Sequence, residues 1–239
     1  MGWIVLAAAL AALAGAGLSG LGHQLGWWDF RVGFTVLRWS AYLGIATAVF
    51  ALPVLGAALV FGSRWSIATL LPAVVIAGFS FGPPLLQLQK ARSVPPIHDI
   101  STDTENPPVF VEILAKRRDA PNSASYGGPE IAAQQRLGYP DLAPQFYRIS
   151  QEALFGHALQ AARKLGWEIA AAVPEEGRIE ATDTTFWFGF KDDVVVRITP
   201  VEGGSRLDLR SVSRVGRSDV GTNAARIRKF LAALSDLPR

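Results

Sequence analysis

Cysteine is absent from the 239 residues, and histidine occurs only three times, at His23, His98 and His157. The absence of cysteine excludes disulfide bonds, thiolate metal sites and a cysteine nucleophile. Three scattered histidines cannot assemble a histidine-rich zinc site, and no acidic spacing supports an oxygen-ligand cation site. We therefore predict neither a metal nor a cofactor.

Charge is also scarce, and the shortage is local. Charged residues make up 18% of the chain, against about 25% in an average soluble domain. Residues 1–92 hold six of them: Asp29, Arg31, Arg38, Arg64, Lys90 and Arg92. Residues 93–239 hold 18 Lys and Arg against 19 Asp and Glu, so the net charge of +3 comes from the apolar half. With no basic run among aromatic residues, nothing indicates a nucleic-acid surface.

Three uncharged stretches, residues 2–22, 39–62 and 65–88, dominate the first 92 residues. Each reaches the length of about 20 apolar residues that a helix needs to cross a bilayer. Trp3, Trp39 and Trp65 lie near their ends, where indole rings favour the membrane interface. Residues 1–92 are therefore predicted to form three transmembrane helices, and the lipid bilayer is the first partner.

Small residues recur every four positions in the first stretch, at Ala8, Ala12, Ala16 and Gly20. Such a stripe lets two helix backbones approach closely. It fits either a homo-oligomer through helix one or packing against the other helices of the same chain, and the second alternative is favoured. The sequence does not decide whether helix one is retained or cleaved as a signal peptide.

Three spans place the two ends of the chain on opposite sides of the membrane. Arg31, Arg38, Lys90 and Arg92 lie on one side, against Arg64 alone on the other. The positive-inside rule then places the C-terminal domain in the cytoplasm. No ionisable residue lies well inside a span, which disfavours an ion pathway or a transporter.

Residues 93–145 are rich in proline and in small polar residues, which predicts an irregular segment without long elements. The stretch 95–108, PPIHDISTDTENPP, mixes apolar anchors with specific polar side chains. We expect it to be an ordered loop docked on a domain.

Residues 146–239 carry regular patterns. Ser150 is a candidate N-cap for a helix that Gly166 closes, and another helix is predicted at 222–234. Alternation predicts strands at 167–172, 178–182, 185–190, 193–199 and 206–213. These elements predict an α+β domain in the order strand, helix, four strands, helix, with an antiparallel meander sheet and two helices on one face. Trp187 is expected under the proline-rich loop, and Asp192-Asp193 is expected in a turn or bulge.

Three motifs carry a resemblance to a known family: residues 95–103, PPIHDISTD; residues 185–193, TFWFGFKDD; and residues 210–219, RSVSRVGRSD, continued by Asn223 and Arg226-Ile227. Over residues 93–236 the chain resembles a bacterial family catalogued as domain of unknown function 1499, including members with three N-terminal spans. The resemblance implies no catalytic residues. The domain also looks similar to helix-grip domains of envelope lipoproteins, an analogy of fold only.

The resemblance also bears on location. Relatives that look like exported lipoproteins imply a periplasmic domain on the bacterial inner membrane. We follow this implication over the count of basic residues, and a cytoplasmic domain is the alternative.

An arginine-rich run follows the last predicted strand and leads into the last helix: Arg210, Arg214, Arg217, Asp219, Asn223 and Arg226. Arginine forks and the N–H groups of a helix start are suited to a phosphate or carboxylate ligand. In the favoured alternative these residues are structural. Ser218 or Asp219 then caps the helix, and the arginines pair with acids of the loop such as Asp99, Asp103 and Glu105.

A second set is acidic: His98, Asp99, Asp103, Asp192 and Asp193. These side chains are candidates for acid–base chemistry. However, Asp192 and Asp193 point to opposite faces if they lie on a strand and then cannot share a proton. No Gly-x-Ser-x-Gly or phosphate-binding glycine loop is present, so no catalytic residue is assigned.

The sequence therefore favours a non-catalytic binding or scaffolding module of the envelope, whose partner is an envelope protein or an anionic ligand. A sensor of a small anion through the arginine cluster is one alternative. An uncharacterised hydrolase is the other, so the question of enzymatic activity stays open.

Overall fold

The computed structural model describes residues 2–237 of the chain, which fall into two compact units. The first, the helical unit, contains the chain up to Gln89 together with Phe186–Gly189. The second, the sheet unit, contains Lys90–Thr185 and the chain from Phe190 onward.

Three long helices form the helical unit: α1 (Gly2–Gln24), α2 (Phe30–Phe61) and α3 (Arg64–Ser93), the last of which ends in the sheet unit. All three are long and apolar enough to cross a membrane, as the sequence predicts. Helix α2 begins nine residues before the predicted span because Asp29 caps it, accepting a hydrogen bond from the Arg31 backbone N–H at 2.9 Å.

The small-residue stripe of α1 is buried inside the helical unit. Ala12, Ala16 and Gly20 are buried, and α1 packs along α2. A Cβ atom at Gly15 would clash with the Ser40 hydroxyl of α2, so this glycine permits the close approach. These contacts support packing within one chain, while the homo-oligomer stays a prediction.

The predicted strand at 185–190 is wrong, because Phe186–Gly189 forms a turn. The turn is closed by the Thr185 N–H, which donates to the Phe190 carbonyl at 2.8 Å, and Gly189 adopts a left-handed φ of 66°. Phenylalanine at every second position imitates the period of a strand.

Trp187 does not lie under the proline-rich loop, contrary to the prediction. It belongs to the helical unit, where the Gln24 side chain donates to the carbonyls of Phe186 and Trp187, both at 2.8 Å. The Phe188 ring lies 4.7 Å from that of Phe34.

The sheet unit is an α+β domain built on one antiparallel sheet. Its strands are β1 (Asp99–Ser101), β2 (Gln145–Tyr147), β3 (Glu168–Val173), β4 (Arg178–Thr184), β5 (Lys191–Val201) and β6 (Gly204–Ser213). Its helices are α4 (Ile113–Lys116), α5 (Gly128–Gly138), α6 (Gln151–Lys164) and α7 (Thr222–Ala232). Strands β3 to β6 form the predicted meander, and β1 and β2 both pair with β6.

One sheet face, the helix face, carries the main core. Val194, Val196 and Ile198 alternate along β5 toward α6 and α7. Trp167 stacks on Phe230 of α7 with ring centroids 5.2 Å apart. The predicted N-cap of α6 is confirmed, because the Ser150 hydroxyl accepts the Ala153 N–H at 3.2 Å.

The opposite face, the loop face, is covered by the segment 102–126. Phe110 and Ile113 of this segment pack on Val195 of β5 and Val212 of β6. The stretch 95–108, which the sequence predicts to be docked, overlaps this segment only at residues 102–108, and before these residues it supplies strand β1, which pairs with β6. Residues 93–145 nevertheless contain the eleven-residue helix α5, because Pro129 occupies its first turn, where proline is tolerated.

Candidate functional site

The charged residues of the sheet unit divide between its two faces. Asp192 and Asp193 lie within β5, so the predicted turn or bulge is wrong. Their predicted opposite orientation is confirmed: Asp193 meets Arg117 and Arg214 on the loop face, and Asp192 meets Arg226 on the helix face.

Arg210 and Asp99 form a buried bidentate pair on the loop face. The guanidinium Nε donates to Asp99 Oδ1 at 2.9 Å, and Nη2 donates to Oδ2 at 2.7 Å. The same guanidinium also donates to the carbonyls of Pro108 and Ala124 in the covering segment. The predicted pairing of this arginine with a loop acid is confirmed, and it ties β6 to the segment.

Asp193 is held by two arginines. Arg117 Nη1 donates to Oδ2 at 2.6 Å, Arg214 donates to both oxygens at 2.8 Å, and the Thr182 hydroxyl donates to Oδ1 at 2.7 Å. Burial raises the pKa of Asp193, but the hydrogen bonds from Arg214, Thr182 and Arg117 outweigh it and hold the pKa below its ordinary value. Arg214 thus pairs with a strand carboxylate rather than with a loop acid, and it also donates to the Lys116 carbonyl of the covering segment at 3.1 Å.

Asp103 occupies a similar position nearer the start of the covering segment. Arg197 and Arg206 donate to its Oδ2 at 3.0 and 2.6 Å, and the backbone N–H groups of Glu105 and Asn106 donate to Oδ1. Burial raises the pKa of Asp103, and these donors more than reverse that effect, so the pKa is lowered. Neither arginine belongs to the cluster singled out in the sequence.

The helix face holds a separate network around Arg226. Its Nε donates to Asp183 at 2.7 Å and its Nη2 donates to Asp192 at 2.6 Å. Its Nη1 bonds the Ser211 hydroxyl and the Asn223 side-chain oxygen. The Arg226 side chain therefore links α7 to three strands, β4, β5 and β6.

The start of α7 is occupied by the chain's own carboxylate. Asp219 accepts the backbone N–H of Gly221 at 2.9 Å and of Asn223 at 2.5 Å. Burial raises the pKa of Asp219, and these two donors only partly offset it. The N-cap is Gly221, so the prediction of Ser218 or Asp219 at that position is wrong. Asp219 nevertheless accepts N–H groups at the helix start and takes the place that a bound anion would need.

The two candidate sets do not converge on one site. Arg210 and Arg214 lie on the loop face, whereas Asn223 and Arg226 lie on the helix face. Arg217 is exposed and has no carboxylate partner among residues 2–237. His98 Nδ1 lies 3.3 Å from the Arg217 carbonyl, and the described residues contain no acidic or histidine cluster suited to a metal ion.

A groove beside α7 was not foreseen from the sequence. Its volume is about 320 Å³, and it is lined by Lys90, Leu165, Trp167, Asp183, Thr222, Ala225, Arg226 and Lys229. Thr222, Arg226 and Lys229 recur at helical spacing, which is a visible signal for a common face. Lys90 comes from α3, so no local pattern places it there.

A family model matches a large part of the chain. No curated protein matches the chain. The family described as "Protein of unknown function (DUF1499)" matches residues 99–234, which is more than half of the chain and includes all six strands and α7. This chain therefore belongs to the DUF1499 family, with three N-terminal helices long and apolar enough to span a membrane.

Proposed function

We propose that the protein is a membrane-anchored, non-catalytic binding module, in which the sheet unit is the recognition domain. The observation that carries this proposal is that arginines bind the aspartate side chains of the sheet unit. Asp99, Asp103, Asp192 and Asp193 each accept a hydrogen bond from at least one arginine. Removing the arginine from such a pair leaves a buried charge without its partner, and a carboxylate held in this way is poorly suited to exchanging protons with a substrate.

The pKa values support the same conclusion. A general acid or base that works near neutral pH needs a carboxyl pKa well above its ordinary value. The pKa values of Asp103 and Asp193 are shifted the other way, because arginine and backbone donors stabilise the charged forms. For Asp103 this argues against the hydrolase alternative. Asp219, whose pKa burial raises, is bonded to backbone N–H groups at the start of α7.

The anion-sensor alternative keeps one supporting observation, which is the groove. Arg210 and Arg214 are occupied by Asp99 and Asp193, so an anion would have to displace a buried carboxylate to reach them. Arg226 lines the groove but is itself paired with Asp183 and Asp192, so the cations that the groove offers to an anion are its two lysines, Lys90 and Lys229. We therefore assign ligand binding to the groove beside α7.

The proposed location is the bacterial inner membrane, with the sheet unit in the periplasm. Three candidate spans support a membrane protein, and the resemblance to exported lipoproteins supports the periplasmic side. The partner in this setting is an envelope protein or an anionic ligand.

The test is to replace each carboxylate by its amide in the full chain, held in lipid nanodiscs: Asp99→Asn, Asp103→Asn and Asp192→Asn. The variants should lose thermal stability, and the wild type should not hydrolyse chromogenic phosphate, acyl or glycosyl esters. Turnover by the wild type that is lost in a variant of unchanged stability would refute a non-catalytic role.

A further inference from the structure

The groove beside α7 combines cationic and apolar walls. Thr222, Arg226 and Lys229 line it from α7, Asp183 from the end of β4, and Lys90 from the last turns of α3. Leu165 and Trp167, which flank the turn between α6 and β3, provide apolar surface. Its volume of about 320 Å³ lies at the lower end of the range for small-molecule sites.

The cations of this groove differ in how they are held. Arg226 is buried and paired with both Asp183 and Asp192, so its charge is compensated within the protein. Lys90 and Lys229 are exposed, and no carboxylate of residues 2–237 lies within 4.0 Å of either ammonium. Two ammonium groups are therefore free to contact a ligand.

We propose that this groove binds the phosphate group of a small phosphorylated molecule, an assignment that rests on the non-catalytic binding role proposed above. The Lys90 and Lys229 ammoniums and the Thr222 hydroxyl are donors from two different helices, and a phosphate offers at least three acceptor oxygens. Leu165 and Trp167 contact the organic part of the ligand.

The phosphate has two possible sources, a soluble phosphate ester or a phospholipid headgroup. Lys90 follows the apolar stretch of α3 by two residues, so its ammonium stays within about one helical turn of the end of that span. A phospholipid headgroup is therefore one source to test, and a soluble ester is the other.

The experiment uses the full chain in nanodiscs and follows the thermal unfolding midpoint, which rises when a ligand binds the folded state. The soluble probe is glycerol phosphate, added to phosphatidylcholine nanodiscs. The lipid probe is phosphatidylglycerol, included in the nanodisc. The test variant is Lys90→Gln/Lys229→Gln, and the matched control is Arg217→Gln, which removes an exposed cation outside the groove.

The wild type and Arg217→Gln should be stabilised by one probe or both, and the double lysine variant should bind that probe at least about tenfold more weakly. Stabilisation by glycerol phosphate alone identifies a soluble ester, and stabilisation by phosphatidylglycerol alone identifies a headgroup. The proposal is overturned if neither probe stabilises the wild type, or if the double lysine variant responds as the wild type does.

The same samples separate this proposal from the broader one. Release of inorganic phosphate from glycerol phosphate would show turnover and refute the non-catalytic role itself. Absence of both binding and turnover would refute only the phosphate assignment.

Discussion

The Glu180 carboxylate on β4 accepts the backbone N–H of Ile113 at 2.9 Å, although 67 residues separate the two. Its other oxygen accepts the N–H groups of Val111 and Glu112, at 3.0 and 3.3 Å. Glu180 is buried, and Arg178 pairs with the same carboxylate. One strand residue thus holds three consecutive amides of the segment that covers the loop face.

Glu180→Ala should release this segment from the sheet. The three amides lose their acceptor, so we expect the exchange of their hydrogens with solvent to become at least about tenfold faster. Hydrogen–deuterium exchange of the full chain, followed by mass spectrometry of peptides covering 105–118, measures the effect. Glu176→Ala is the matched control, because Glu176 also pairs with Arg178 but is exposed and contacts no amide of the segment. Equal exchange in both variants would refute this role of Glu180.

The arginines of the 210–226 run should differ sharply in their effect on stability. Arg210→Ala leaves Asp99 buried without its partner, a change that typically costs about 3–5 kcal/mol of unfolding free energy. Arg217→Ala removes an exposed side chain and should change the free energy by no more than about 0.5 kcal/mol. Chemical denaturation of both variants gives the comparison. Similar values for the two would mean that the bidentate pair contributes little.

Acid should destabilise the sheet unit through Asp103 and Asp193. Their pKa values in the folded protein lie below the ordinary value of 3.8, so their stabilising contribution is complete above pH 3.8 and is lost as the pH falls through the folded pKa. Asp103→Asn should therefore flatten the fall of the unfolding midpoint below pH 3.8. If the unfolding midpoint of the variant falls below pH 3.8 as steeply as that of the wild type, Asp103 is not one of the groups responsible for acid destabilisation.

Asp219 should change the pH dependence of stability in the opposite direction to Asp103 and Asp193. Burial raises its pKa, so its contribution to stability is complete below 3.8 and is lost as the pH rises through the folded pKa. Asp219→Asn should remove this component, and the midpoint should then fall less steeply as the pH rises just above 3.8. A slope equal to that of the wild type would contradict the assignment to Asp219.

Topology is tested with fusions of alkaline phosphatase after Arg92 and at the C-terminus. Because phosphatase is active only outside the cytoplasm, a periplasmic sheet unit predicts activity at both points. Fluorescent-protein fusions at the same points are the control, and a periplasmic sheet unit predicts that they do not fluoresce. Fluorescence without phosphatase activity would place the domain in the cytoplasm, as the basic residues flanking the spans favour.

The features that the sequence predicts are those with a local signal. Long apolar runs predict the three helices, and alternation along residues 193–199 and 206–213 predicts β5 and β6. These elements depend on residue type and spacing within a short window. The balance of opposite charges in two distant motifs predicts that arginines of the run pair with loop acids, which is confirmed for Arg210 and Asp99, whereas Arg214 pairs with a strand carboxylate.

The features that were missed depend on contacts between distant segments. Strand β1 has three residues, too few for a periodic pattern, and exists because β6 offers its edge to it. Strand β2 is equally short, so the sequence predicts a strand before α6 without fixing its residues. The arginine cluster is split because β6 directs Arg210 and Ser211 to opposite faces and α7 then adds Arg226 to the helix face. Lys90 reaches the groove from a helix that the sequence assigns to the membrane.

The central claim is that the carboxylates of the sheet unit act as structural partners of arginines. The most direct measurement is a double-mutant cycle between Asp99 and Arg210 in the full chain, using Asp99→Ala, Arg210→Ala and the double variant, with unfolding free energy as the readout. The account predicts that each single change is costly and that the double variant costs much less than their sum, with a coupling of about 2–3 kcal/mol. Additive effects, or an Asp99→Ala variant as stable as the wild type, would contradict it.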